Sequence, residues 1–327
     1  MTNATRREHR LIVMARRRSL VPVDQPLVMI TQMPRSGGTL LARLFDGHPA
    51  CHVFARELRS IFISDSKATG GAEKAWAALD DPSLDRILKV GHTQGMQRLH
   101  GDRSAYPLLI PPVVLKELFF ELYRERKPAT GRAVLDVYMT AYFNAWLDNA
   151  NLRPAEDKRW VVGFSPHTVA RRRKCARFEE LYPDGRVISI IRDPWSWFAS
   201  AQRWSRRWTE RDAAIEAWAE AVRAARDWHA RAPERVRIVG FDRLVGAPEA
   251  TMRELAGWLG VEPRPELLRP TINGVPAAAN SSFPAPGQAV STDPVQRRRA
   301  ELGDEDAAAI DAAVGELYAE VEALGRQ

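Results

Sequence analysis

Cysteine is scarce in this chain: Cys51 and Cys175 are the only two among 327 residues. Two thiols cannot staple a small secreted fold, and such usage points to a reducing compartment, with the cytoplasm as the expectation. Long apolar runs are also missing, and none approaches the ~20 residues that span a bilayer. The apolar stretch Leu11-Ile12-Val13-Met14-Ala15 is short and runs straight into Arg16-Arg17-Arg18, so it does not read as a signal peptide. Low-complexity tracts and internal repeats are absent, which excludes solenoids and flexible multi-domain arrays.

What remains is a chain of ordinary composition, 45% hydrophobic and 27% charged, long enough for one large α/β domain. The net charge of +7 is unevenly spread. Residues 1–26 hold six Arg against two acids, which leaves +3 for the other 301 residues. A basic N-terminal arm read as a flexible, solvated tail, followed by a nearly neutral body over 27–327, argues against a polynucleotide groove.

Periodicity orders the body. Apolar strands are expected at 27–33, 160–164, 186–192 and 235–241, alternating with helices at 37–46, 174–182, 194–204, 212–231 and 248–259. Further helices are expected at 72–79, around Leu115–Leu122, around Leu135–Trp146, and at 304–325. Continuous apolar strands alternating with helices predict a single three-layer α/β domain with a mainly parallel central sheet.

Two segments carry chemistry. Residues 27–45 (LVMITQMPRSGGTLLARLF) read as strand, turn and helix, with Arg35-Ser36-Gly37-Gly38-Thr39 in the turn. Glycines admit close approach of an anion, hydroxyls add donors, and a helix start supplies free N–H groups. The nucleoside-triphosphate loop Gly-x4-Gly-Lys-Ser/Thr is lacking; an Arg opens this turn instead. Residues 186–204 repeat the plan, with Arg192 at the strand end and Ser200 eight residues later on a helix opened by Pro194. Two such units suggest a ligand with phosphate at both ends.

PRSGGTLL resembles the 5′-phosphosulfate loop of sulfotransferases that use 3′-phosphoadenosine 5′-phosphosulfate (PAPS), and IIRDPxxxxxS is similar to their 3′-phosphate motif. Phe241–Val245 with Ala247-Pro248-Glu249 resembles a later strand-and-turn pattern. Asn280-Ser281-Ser282-Phe283 and Val295-Gln296-Arg297 resemble C-terminal patterns lining the nucleotide site of bacterial and Golgi-type members. The resemblance implies in-line sulfuryl transfer from PAPS, without a metal, to an acceptor hydroxyl or amine, with adenosine 3′,5′-bisphosphate (PAP) as product. It places Arg35 at the bridging oxygen and Ser36, Gly37, Gly38, Thr39 and Leu40 at the 5′-phosphate. Arg192 and Ser200 take the 3′-phosphate, with Ser281 and Arg297 alongside.

The family's usual carboxylate base, after a His-Pro pair, maps to Glu57 beyond His48-Pro49. Where many members carry Lys-x-Pro, this chain has Phe164-Ser165-Pro166-His167. That change removes a cation from the sulfate end and introduces His167 as a second candidate base. Acceptor contacts are expected from 58–155, whose aromatic residues suit a small-molecule, carbohydrate or lipid acceptor, although most must be core. The tryptophans at 195–228 interleave with arginines as single-strand platforms do, but Trp204 and Trp208 are read as one helix face in the core. Two other classes stay open: a catalytically silent nucleotide-binding regulator, and a P-loop small-molecule kinase requiring ATP and Mg²⁺.

Overall fold

A computed structural model describes residues 3–58, 61–79, 109–155, 157–276, 290 and 293–326. Five strands form one parallel sheet: β1 (Leu27–Thr31), β2 (Cys51–Glu57), β3 (Trp160–Phe164), β4 (Arg186–Ile191) and β5 (Val236–Gly240), in the order β2-β3-β1-β4-β5. The helices are α1 (Asn3–Arg18), α2 (Gly38–Phe45), α3 (Asp65–Ala68), α4 (Ala72–Leu79), α5 (Pro112–Arg126), α6 (Gly131–Ala145) and α7 (Arg172–Leu181). They continue with α8 (Pro194–Trp204), α9 (Arg211–Arg231), α10 (Phe241–Gly246), α11 (Pro248–Leu259), α12 (Asp293–Ala300) and α13 (Asp304–Leu324).

The central strand explains the layering. Every residue of β1 is buried, and its side chains alternate between two cores. Val28 and Ile30 join Leu41, Leu44 and Phe45 of α2 and Leu255 of α11. Leu27 and Met29 join the larger core beneath α5 to α9 and α13. An apolar strand with both faces covered is what a parallel sheet requires.

Three sequence expectations change. The N-terminal arm is not a solvated tail over the described residues. Residues 3–18 form α1, Val13 is 2% exposed, and Arg17 pairs with Glu121 of α5 at 3.1 Å. The extended chain that follows is tied down by buried side chains of α6. The Val21 N–H donates to Asn144 Oδ1 and the Val23 N–H to Thr140 Oγ1, both at 3.0 Å.

Strand β2 was not expected at all. Its sequence CHVFARE mixes apolar and charged residues, and it sits at the sheet edge with a register irregularity between Val53 and Glu57. Such an edge does not alternate cleanly.

Trp204 and Trp208 do not share a helix face. Ser205 is extended (φ −150°), so α8 stops there; Trp204 is 57% exposed while Trp208 is buried in a separate turn. The aromatic residues of α5 and α6 are largely core, as in the stacked Phe54–Tyr142 pair with ring centroids 4.3 Å apart.

Candidate functional site

β1 and β4 are neighbours, with Thr31 opposite Ser189. The chain leaving β1 heads toward β2 and that leaving β4 heads toward β5, on opposite sides. Where connections diverge this way, a crevice opens beyond the carboxyl ends of the strands. Both chemistry-bearing segments emerge at that point. Gln32 bridges the two strands there, donating to Ser189 Oγ at 3.1 Å and accepting the Met33 N–H at 2.9 Å.

The turn after β1 takes a backbone that few residues adopt: Arg35 at φ 75° and Gly37 at φ 98°. The glycines are also required sterically. A Cβ on Gly37 would lie 2.3 Å from the Phe241 ring, and one on Gly38 2.2 Å from the Phe164 ring. Two aromatic rings, from the ends of β5 and β3, therefore press the turn into place. No side chain caps α2, so the N–H groups of its first turn lack intrahelical partners and suit an anion. Ser36 Oγ is buried with no hydrogen-bond partner. The Leu40 side chain packs in the core beside α2, which leaves only its backbone for the crevice.

At the end of β4, Arg192 is 2% exposed. Its Nε donates to Ser196 Oγ at 2.8 Å, its Nη1 donates to the Arg35 carbonyl at 3.3 Å, and its Nη2 is buried without a partner. Asp193 caps α8 by accepting the Ser196 N–H at 2.8 Å, and it also accepts the Ser196 hydroxyl. The Trp218 indole N–H holds the Arg192 carbonyl at 3.2 Å. The two segments meet directly: Arg35 Nε donates to Ser200 Oγ at 3.3 Å, and the Trp197 indole N–H donates to the Pro34 carbonyl at 2.9 Å.

This corner is crowded with positive charge. Burial pushes Arg192 down to about 10, with Arg35 and Arg298 adding to the shift and Asp193 and Asp242 opposing it. Burial, then Arg298, lowers Arg35 as well. Cations that depress one another in a buried crevice form a seat for an anion.

The two candidate bases lie beyond the carboxyl ends of neighbouring strands, β2 and β3. Glu57 ends β2 opposite Phe164, and the next N–H, of Leu58, donates to the Phe164 carbonyl at 2.7 Å. His167 sits in the turn after β3 at φ 61°, its N–H donating to the Gln32 carbonyl at 2.9 Å. Ser165 Oγ is 2.9 Å from Thr168 Oγ1 and helps close that turn.

Ser281 lies outside the described residues. Arg297 lies on α12, its side chain outside what is described. Its neighbour Arg298 acts on both Arg35 and Arg192, which sequence reading missed; the run Arg297-Arg298-Arg299 was the available signal. The wedging role of Phe164 and Phe241 was also missed.

The fold and this corner together define a parallel α/β protein with two adjoining cationic seats at one switch point. A model described as the Sulfotransferase family matches residues 26–265, and the chain belongs to that family. Among solved structures it is similar to the sulfotransferase domain from the curacin biosynthetic pathway, at 16% identity and TM-score 0.56, covering 89% of this chain and 98% of that one. It is also similar to the sulfotransferase domain of the Synechococcus PCC 7002 olefin synthase, at 17% identity and TM-score 0.51, with 90% and 96% covered. At these identities the likeness is one of fold. No curated protein matches the chain. No helix among the described residues is long and apolar enough to cross a membrane.

Proposed function

We propose that this sulfotransferase moves a sulfuryl group from PAPS to a hydroxyl or amine of a small-molecule, carbohydrate or lipid acceptor, by in-line transfer with Glu57 as the base. The observation that carries the reading is the adjoining pair of seats: the glycine turn with its uncapped helix, and buried Arg192 with an unused Nη2. A donor phosphorylated at both its 5′ and 3′ positions suits that pair.

In this reading the amides of Gly37 to Leu40, with Ser36 and Thr39, hold the 5′-phosphate, while Arg192 and Ser200 hold the 3′-phosphate. Arg35 stabilises the negative charge that grows on the bridging oxygen as the S–O bond breaks. Its Nε contact to Ser200, at 3.3 Å, supports a guanidinium shared between the two seats. Glu57 removes the acceptor proton as the new S–O or S–N bond forms. The turn that usually carries Lys is closed here by Ser165 and Thr168, so charge stabilisation falls more heavily on Arg35.

Calorimetry tests the donor. PAP should bind with micromolar-order affinity, undiminished by EDTA, and ATP should bind more weakly. Binding of ATP–Mg²⁺ without binding of PAP would instead favour a kinase. Turnover of radiolabelled PAPS across a panel of acceptor classes separates an enzyme from a silent binder.

A further inference from the structure

Asp242 is the second residue of α10, immediately after Phe241, whose ring lies 5.1 Å from the Arg192 guanidinium. One oxygen is engaged: Oδ2 accepts the Tyr318 hydroxyl of α13 at 3.3 Å. The other, Oδ1, is buried with no hydrogen-bond partner. Arg192 has the opposite deficit in the same corner, since Nη2 is a buried donor without an acceptor. The two charges act on each other, yet no ion pair joins these residues. Leaving either group unsatisfied costs free energy, and leaving both suggests that something else completes them.

The groups around Asp242 define what that is. Arg192 at the end of β4, Arg299 of α12 and Tyr318 of α13 favour its charged form, while burial and Asp193 push it up to about 6. As a carboxylate it repels a phosphate and attracts a hydroxyl donor, and Oδ1 is the oxygen left to accept one. Arg192 Nη2 requires an acceptor. A ligand that satisfies both carries an anion next to a hydroxyl, which is the arrangement of a ribose 3′-phosphate with its free 2′-hydroxyl.

We propose that Asp242 is a specificity-determining residue that accepts a hydrogen bond from the ribose 2′-hydroxyl of the nucleotide whose 3′-phosphate Arg192 holds, with Tyr318 fixing the carboxylate. The assignment rests on the PAPS reading above and adds to it a discrimination between ribose and 2′-deoxyribose. Tyr318 lies beyond residue 265, where the family match ends, so α13 contributes to the nucleotide seat by holding Asp242. Trp195 stands edge-on to Tyr318 with centroids 5.6 Å apart, and Trp218 lies at 6.3 Å. Those contacts brace the tyrosine against α8 and α9.

The test compares PAP with 2′-deoxyadenosine 3′,5′-bisphosphate by calorimetry. The unmodified protein should bind the deoxy ligand roughly 10-fold more weakly, the scale of one hydrogen bond to a charged acceptor. Asp242→Ala should bring the ratio close to one. Asp242→Asn retains an acceptor oxygen and should keep part of the preference, which also covers the case in which the alanine variant does not fold. Tyr318→Phe should reduce the ratio by weakening PAP, while leaving the affinity for 2′-deoxyadenosine 3′,5′-bisphosphate, which has no 2′-hydroxyl for Asp242 to accept from, within about twofold. Equal binding of the two bisphosphates by the unmodified protein, or an undiminished ratio in Asp242→Ala, would overturn the assignment while the PAPS reading stands. Failure of PAP to bind at all would overturn both.

Discussion

The two halves of the site are built by different means. The half beyond β1, β2 and β3 is a backbone device: a turn forced into shape by two phenylalanine rings, an uncapped helix start, and candidate bases on neighbouring strand ends. The half beyond β4 is a side-chain device, in which Arg192 is held through Ser196, Asp193, Trp218 and the Arg35 carbonyl. A backbone device fails as a unit when one atom is added. A side-chain network loses its contacts one at a time. The first half is therefore where chemistry should be lost abruptly, and the second is where affinity should be lost in steps.

The largest expected effect lies in the first half. Glu57→Gln should keep nucleotide affinity and lower turnover by ~10²–10⁴-fold, the usual worth of a positioned base. His167→Ala should cost far less. If His167→Ala abolishes turnover while Glu57→Gln leaves it intact, the two assignments exchange. The division between chemistry and grip would then still hold, because His167 also belongs to the first half.

Next come the glycines, where folding stability is the measure. Gly38→Ala meets the Phe164 ring without a positive φ, whereas Gly37→Ala meets the Phe241 ring and, at 3.2 Å, the Ile190 side chain, at φ 98°. Overpacking costs about 1–3 kcal/mol, and a left-handed backbone adds roughly 1–2 kcal/mol for a residue with a Cβ. In denaturant titrations, Phe164→Leu should relieve most of the Gly38→Ala penalty. Phe241→Leu should relieve only part of that of Gly37→Ala, because the backbone strain and the Ile190 contact remain. Full relief in both would mean that the φ angle at Gly37 carries no cost.

Comparable in energy but confined to binding is the Arg192 prediction. Arg192→Ala should weaken PAP by roughly 10- to 100-fold, from a charge-assisted contact of ~1.5–3 kcal/mol. Ser200→Ala should weaken PAP less, and neither change should much affect adenosine 5′-phosphosulfate. Equal losses for both ligands, measured by calorimetry, would make the second half a structural support with no hold on the 3′-phosphate.

The same contrast explains what the sequence could convey. Strand–turn–helix units announce themselves locally: an apolar run, glycines, a hydroxyl, Pro194 at a helix start. Accordingly, 160–164, 194–204 and 248–259 were legible to the residue. What depended on distant partners was not. Strand β2 is edge-bound and mixes apolar with charged residues, and its identity comes from pairing with β3, about a hundred residues later. Val13 looked like part of a tail because the α5 surface that covers it lies far along the chain. Arg298 and Tyr318 reach the site only because α12 and α13 return to α8, and no local period signals such a return. The place of Leu40 in the first turn of α2 was legible locally, whereas the face its side chain takes depends on the core beside α2.

The smallest predicted effects concern two tryptophans on one helix. Trp197 is fully buried on α8, and its indole N–H reaches the Pro34 carbonyl in the turn after β1, so it links the two halves. Trp197→Phe keeps an aromatic ring and removes that bond, worth about 0.5–1.5 kcal/mol net. Because the lost contact fixes the turn relative to α8, turnover and PAP affinity should fall together by a few-fold each, unlike Glu57→Gln or Arg192→Ala, which separate them. Trp204 lies seven residues on at the frayed end of α8 and is mostly exposed; Trp204→Ala should change stability by no more than about 0.5 kcal/mol and leave both readouts alone. If Trp197→Phe moved only turnover or only affinity, the halves would not be mechanically joined through this side chain, and the Arg35–Ser200 and Arg192–Arg35 contacts would be the connections left to test.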